Sequence, residues 1–313
     1  MVITGRLRRA LPLARGVACD HPDPDQKQAG AVMKIRSELM VHDLNAGTDT
    51  VVYQSSELIE APNWSPDGRY LLINGGGLLY RFDLATRQIQ QVDTGFAVTL
   101  NNDHGISPDG RWIVVSDKTE FGLSCIYVIP AAGGAPRRVT ENLPSYWHGW
   151  SPDMKTLAYC ARREGIYGVY TCAVDGTGEQ RLTPQVGHSD GPDYAPDGAW
   201  IWYNSSATGT MQIHRMRSDG SNDAAMTTDN RVNWFPHPSP DGKSLLYLSY
   251  PPGTEYHPRD LPVELRLLDL QQKSPGTAPR TLVRLFGGQG SINVPCWAPD
   301  GNRFAYMRYY PAG

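Results

Sequence analysis

An all-β fold, a six-bladed β-propeller, is predicted by three observations: a turn motif that recurs six times, β-prone alternation around each copy, and almost no helical periodicity. The motif is first met at Trp64-Ser65-Pro66-Asp67-Gly68-Arg69. Copies follow at Ser107-Pro108-Asp109-Gly110, Ser151-Pro152-Asp153-Met154, Ala195-Pro196-Asp197-Gly198, Ser239-Pro240-Asp241-Gly242 and Ala298-Pro299-Asp300-Gly301. Their starts lie 42, 44, 44, 44 and 59 residues apart. A period of roughly 40–45 residues is that of one four-stranded propeller blade.

Each copy reads as a tight turn between two strands. Ser at the first position, Pro at the second and Gly at the fourth are type I turn preferences, with Pro supplying the φ of the first central residue. The Gly can take a left-handed conformation and lead back into a strand. Aromatic residues stand before several turns, as at Trp64, Trp150, Tyr194 and Trp297. After the turns come runs such as Tyr70-Leu71-Leu72-Ile73 and Leu245-Leu246-Tyr247-Leu248. A third strand (125–129 and 167–170) and a fourth (137–140 and 180–183) complete a blade.

Residues 1–34 differ from the rest. Arg6, Arg8 and Arg9 precede Ala10-Leu11-Pro12-Leu13-Ala14, but this run is too short for a secretory signal, holds a proline and is broken by Arg15. The polar stretch from His21 adds to this, predicting a disordered extension over 1–34 and a propeller over 35–313. Two strands, at 39–44 and 50–53, precede the first motif, and only one, at 303–309, follows the last. The sixth blade is therefore expected to take two inner strands from the C-terminus and two outer strands from the N-terminus, leaving no long open edge. The 59-residue spacing marks a blade enlarged by a connection at 251–260 and an extension at 271–279. Long loops on a regular scaffold often carry function.

Composition narrows the classes. With 29 basic and 32 acidic residues, a net charge of −3 gives no basic footprint for nucleic acid. No apolar run approaches the ~20 residues of a membrane span. The five cysteines (Cys19, Cys125, Cys160, Cys172 and Cys296) lack metal-type spacing and read as reduced core residues. These features predict a cytoplasmic monomer, with the periplasm as the alternative if the true start lies elsewhere.

The six motifs, with fourth strands ending Arg138-Val139-Thr140, Arg181-Leu182-Thr183 and Ala225-Met226-Thr227, resemble the WD40-like PD40 repeats of the TolB-like β-propeller family. The resemblance covers residues from about 36 to 310. It implies a propeller that presents ligands or protein partners at one face of its funnel. The chain departs from the family's namesake in showing no N-terminal α/β domain and no export signal, so the resemblance does not carry a periplasmic role with it.

In a propeller the innermost strand of each blade starts at the top face, so residues just before each turn are expected to line the funnel. Here they are polar and aromatic: Asn63; Asn102, Asp103 and His104; Trp147 and His148; Asp193 and Tyr194; His237; and Asn293. Such a ring suits a small polar ligand, a saccharide or peptide, because aromatic faces stack while amides and carboxylates fix hydroxyls. A structural reading, in which these groups tie loops and blades together, stands beside it.

His104 and His148 occupy equivalent places, three residues before Ser107 and Ser151, and His237 lies one position out of register. Together they are candidates to hold a divalent metal such as manganese, zinc or calcium. The arrangement resembles the propeller-fold oligogalacturonate lyases, in which clustered histidines hold a metal. Asp190 and Asp193 form a candidate calcium pair, and Arg162 and Arg163 could meet a substrate carboxylate. Gly187-His188-Ser189-Asp190-Gly191 satisfies G-x-S-x-G, but no strand-to-helix elbow is predicted there, so Ser189 is not a nucleophile candidate. Two functions stay open: recognition of a polar ligand or protein partner at the top funnel, and a metal-assisted lyase or hydrolase acting on an acidic saccharide.

Overall fold

A computed structural model describes residues 35–271 and 278–311. The expected disordered extension over 1–34 lies outside the described residues. The chain opens with β1 (Ile35–Asp43) and β2 (Thr48–Ser55), and then lays down five four-stranded antiparallel sheets in succession. Blade 1 holds β3 (Glu60–Trp64), β4 (Tyr70–Gly75), β5 (Leu78–Asp83) and β6 (Ile89–Gln91). Blade 2 holds β7 (Leu100–Ile106), β8 (Trp112–Asp117), β9 (Cys125–Pro130) and β10 (Arg137–Arg138). Blade 3 holds β11 (Ser145–Trp150), β12 (Thr156–Arg163), β13 (Ile166–Ala173) and β14 (Gln180–Arg181). Blade 4 holds β15 (Ser189–Tyr194), β16 (Trp200–Ser205), β17 (Gln212–Arg217) and β18 (Ala224–Ala225). Blade 5 holds β19 (Val232–Pro238), β20 (Ser244–Tyr250), β21 (Leu261–Asp269) and β22 (Arg280–Gly287).

Blade 6 is the clasp. Its β23 (Arg303–Pro311) pairs antiparallel with β1 from Ile35↔Pro311 to Asp43↔Arg303, and β2 lies outside β1. The expected second inner strand is reduced to one bridge, Trp297↔Phe304, flanked by bonds from Ala298 N to Arg303 O and from Ala305 N to Cys296 O. Pro295 has no N–H to offer a ladder. Among the described residues no helix is long and apolar enough to cross a membrane.

The turn motif explains its own residues. Ser65 Oγ donates to Asp67 Oδ1 (2.7 Å) and accepts from the backbone N–H groups of Arg69 (3.1 Å) and Tyr70 (3.0 Å). Ser107, Ser151 and Ser239 make the same bond to Asp109, Asp153 and Asp241. In the two copies that begin with Ala, Asp197 and Asp300 take the backbone N–H groups without a serine, and Asp300 also accepts from Arg303 Nε at 2.8 Å. The turn glycines have positive φ, and Met154 sits in the same left-handed region at φ 61°. A Cβ on Gly68, Gly110, Gly198, Gly242 or Gly301 would meet the motif proline of the preceding blade at 3.4–4.0 Å. Gly68 meets Pro299, so this ring of contacts closes.

The core lies between blades. Trp147 is buried with Val114, Ile126 and Tyr159, its ring so close to Gly105 that any side chain there would overlap it. Tyr194 packs with Ala158, Val169, Ile201, Tyr203 and Met216. The four described cysteines are buried and unbridged.

Candidate functional site

The inner strands do not run as regular ladders. Pairing with the second strand slips between Glu60 and Asn63, Leu100 and His104, Trp147 and Gly149, Asp190 and Asp193, and Trp234 and His237. Ala61, Gly191 and Phe235 take left-handed φ at three of these breaks. A bulge re-aims the side chains beside it. The breaks therefore direct polar residues toward the axis and toward neighbouring blades.

Buried polar side chains from different blades interlock near the start of the inner strands. Asn293 Nδ2 crosses to blade 2 and donates to Asn102 Oδ1 (3.1 Å) and Asp103 Oδ1 (2.5 Å). Asn101 Nδ2 donates to the other Asp103 oxygen at 2.6 Å. His148 Nε2 lies 4.0 Å from Asp103 Oδ1 and 3.2 Å from Asp190 Oδ1. His188 Nε2 follows at 3.4 Å from Asp190 Oδ2. His237 Nε2 donates to the Ile292 carbonyl (2.7 Å), while its Nδ1 faces Asp193 Oδ2 at 3.0 Å. Asn102, Asp103, His148, Asp190, Asp193, His237 and Asn293 are all buried. The expected funnel lining is therefore an interlocked polar layer, not a solvated rim.

Charges in this layer are held by histidines. Burial alone would raise the Asp190 carboxyl, but the His148 and His188 imidazoles beside it hold it well below the usual range. Burial opposes charge on His148, yet Asp190 and Asp103 together raise its pKa. At Asp193 burial wins over His237 and pushes the carboxyl up. His104 stands apart from these pairs. Burial lowers its pKa to about 4 against the pull of the Leu72 and Ala61 carbonyls, and neither ring nitrogen completes a hydrogen bond.

Several candidates have structural partners. Asn63 Nδ2 donates to Pro295 O (2.7 Å) and its Oδ1 accepts from Ile106 N (2.9 Å), tying blades 6, 1 and 2 together. Trp147 and Tyr194 point into the interblade core and not into the funnel. Arg163 is committed to Glu179 (3.1 and 2.9 Å) and to the Pro144 and Asn142 carbonyls, so it is not free for a substrate carboxylate. Arg162 lies half-buried at the top face, over the Tyr167 ring. Asp190 and Asp193 do not form a pair, because the break between them turns each to a different histidine.

The three candidate metal histidines are likewise dispersed: both His237 nitrogens are engaged and His104 is enclosed in blade packing. The donors that do gather among the described residues are Cys160, His188 and Asp190, whose ligand atoms lie within 4.8 Å of one another. Cys160 was not a site candidate from the sequence, because Leu157-Ala158-Tyr159-Cys160-Ala161 reads only as a buried strand.

The surface above the polar layer differs from the opposite one. Strand direction places the links between blades and the hairpins joining second to third strands at the top face. Phe96, Val98, Phe121, Leu123, Val186 and Tyr256 are exposed there, whereas exposed Ile89 and Trp112 begin strands at the bottom. Between blades 4 and 5 the top face opens into a cleft of about 310 Å³ lined by His188, Met211, Val232, Trp234, Thr254 and Tyr256. The long connection of blade 5 forms one wall, fixed by Tyr250 donating to Pro258 O (2.9 Å) and by His257 edge-on to Trp234.

Comparison with known proteins agrees with this architecture. The family model PD40, the TolB beta propeller domain, matches residues 144–257. An uncharacterized protein of Agrobacterium fabrum is 52% identical over 278 residues, 88% of this chain and 94% of its own length. A solved Agrobacterium tumefaciens structure described as a TolB is 52% identical with a TM-score of 0.86, covering 89% of this chain and 99% of that one. The Tol-Pal system protein TolB of Francisella tularensis is 27% identical over 223 residues, 68% of this chain but only 50% of its own length. The chain thus spans about half of that relative.

Proposed function

Because this chain belongs to the TolB-like β-propeller family, we propose that it is a recognition module that binds a protein partner with its top face. The observation that carries this reading is the distribution of apolar side chains. Among the described residues, six of the eight exposed large hydrophobic side chains lie on the top face. Phe96 and Val98 precede β7, while Phe121 and Leu123 lie in the adjoining β8–β9 hairpin. Exposed apolar side chains grouped on one face favour association over solubility. The polar layer pairs its groups within the protein, and the cleft beside Trp234 and Tyr256 is of a size to take a partner's side chain.

The test compares faces. Tagged protein, cross-linked in cells and identified by mass spectrometry, should yield a partner that then binds directly in purified form. Phe121→Asp with Leu123→Asp should abolish that binding, and Trp112→Asp on the bottom should leave it intact. Binding lost only in the bottom variant would overturn the assignment.

A further inference from the structure

Beneath the top face three different donor types converge. Cys160 Sγ comes from β12 of blade 3, the His188 imidazole from the residue before β15, and the Asp190 carboxylate from β15 itself. The donor atoms lie within 4.8 Å of one another. Around a tetrahedral zinc ion with bonds of ~2.0–2.3 Å, neighbouring ligand atoms stand about 3.3–3.8 Å apart. The 3.4 Å between His188 Nε2 and Asp190 Oδ2 is already such an edge.

Hydrogen bonding accounts for only part of this arrangement, with the Cys160 thiol donating to the Ser189 carbonyl at 3.6 Å. His188 Nε2 is buried and completes no hydrogen bond despite facing the carboxylate. Its ring is held by stacking on Tyr167 (4.8 Å) and by the edge of Trp234 (5.5 Å), so its aim is set by packing. Asp190 Oδ1 is engaged by His148 Nε2 at 3.2 Å, leaving Oδ2 turned toward His188. A histidine that orients a ligating carboxylate is the kind of support that metal ligands require. Asp190 is buried between the His148 and His188 imidazoles, so a further positive charge beside its carboxylate would be compensated there. His188 lines the cleft between blades 4 and 5, which gives an ion a route from solvent.

We propose that Cys160, His188 and Asp190 form a transition-metal site, fitted to zinc, at the boundary of blades 3 and 4. A sulfur, nitrogen and oxygen donor set suits zinc and excludes magnesium and calcium, which take oxygen ligands. On binding, the Cys160 thiol gives its proton to solvent and the thiolate bonds the ion. The site differs from the three-histidine set suggested by the sequence, and it stands independently of the partner-binding reading.

The experiment titrates the full chain, first stripped with a chelator, with cobalt(II). One equivalent should bind and give a thiolate-to-cobalt charge-transfer band that zinc abolishes by competition. Cys160→Ser should eliminate the band, and His188→Gln should weaken cobalt binding about tenfold or more. Cys172→Ser, on the neighbouring strand, should leave both unchanged. Near-ultraviolet circular dichroism checks each fold, and if Cys160→Ser does not fold, His188→Gln at the cleft edge carries the test. Folded wild-type protein that takes up no cobalt, or a band that survives Cys160→Ser or binding that survives His188→Gln undiminished, would overturn the proposal.

Discussion

At the bottom of the ring Ser65, Ser107, Ser151 and Ser239 make the same bond to an aspartate two residues on, whereas at the top blades 2 to 6 send unlike sets of side chains into one buried polar layer. The two ends of one set of inner strands thus obey different rules. Below, a local turn satisfies its own polar atoms, and in five of the six copies the turn glycine faces the motif proline of the preceding blade. Above, a polar atom finds its partner one or two blades away, as Asn293 does at Asp103 and His237 at Asp193. Repetition encodes the ring, and departure from repetition encodes what the ring carries.

The largest test of this contrast is at the clasp. Deleting β1 and β2 strips β23 of nine paired residues, and the cooperative melting transition should be lost even though every bottom turn is untouched. A variant that melts like the full chain would show that the turn ring alone closes the propeller.

Acidification separates the ends next. His104 titrates at about 4 when folded against 6.5 when unfolded, so the unfolded chain binds its proton first. Stability should be fully present above pH 6.5 and fall as pH drops through 4, by up to about 3 kcal/mol from this residue. His148 acts in the opposite sense and in another window. Its raised pKa contributes stability that is complete below 6.5 and lost as pH rises through the folded value. His104→Leu should therefore flatten the denaturant-midpoint profile between pH 6.5 and 4 while leaving the alkaline side alone.

A bottom turn should yield a smaller effect. Ser107→Ala removes bonds to Asp109 and to the Trp112 N–H, yet two natural copies already use Ala. Urea unfolding should register a loss of about 1 kcal/mol. Smallest is Met154→Gly. A left-handed Met costs roughly 1–2 kcal/mol, and glycine's freedom in the unfolded chain offsets about 0.4–1 of that. A net gain of about 0.5–1 kcal/mol is expected, and a loss would show that the Met154 side chain, which lines a groove with Trp112 and Trp150, contributes more than the backbone strain costs.

The bottom was legible in the sequence because its interactions span five residues or fewer. Six blades, strand–turn–strand order and the N-terminal outer strands of blade 6 all follow from motif spacing. The top was legible only as a list of residue types. His148, Asp103, Asn102 and Asn293 do meet, but Trp147 and Tyr194 face the core and Asn63 ties blades together. A two-residue alternation carries no trace of where a bulge will shift it, and that shift decides which side chain reaches the axis. Cys160 was invisible for a related reason, since its partners come from the next blade.

The clasp has a temporal consequence. β1 emerges early in synthesis but its partner β23 follows after about 260 residues, roughly 13–50 s later at ribosomal rates. Through that interval the β1–β2 hairpin shows a bare row of N–H and C=O groups to its surroundings. A second chain carries the same strand, but the tether between β1 and its own β23 favours closure within one chain. The ring is therefore completed only when β23 reaches the β1–β2 hairpin, which makes the clasp the last blade to be assembled.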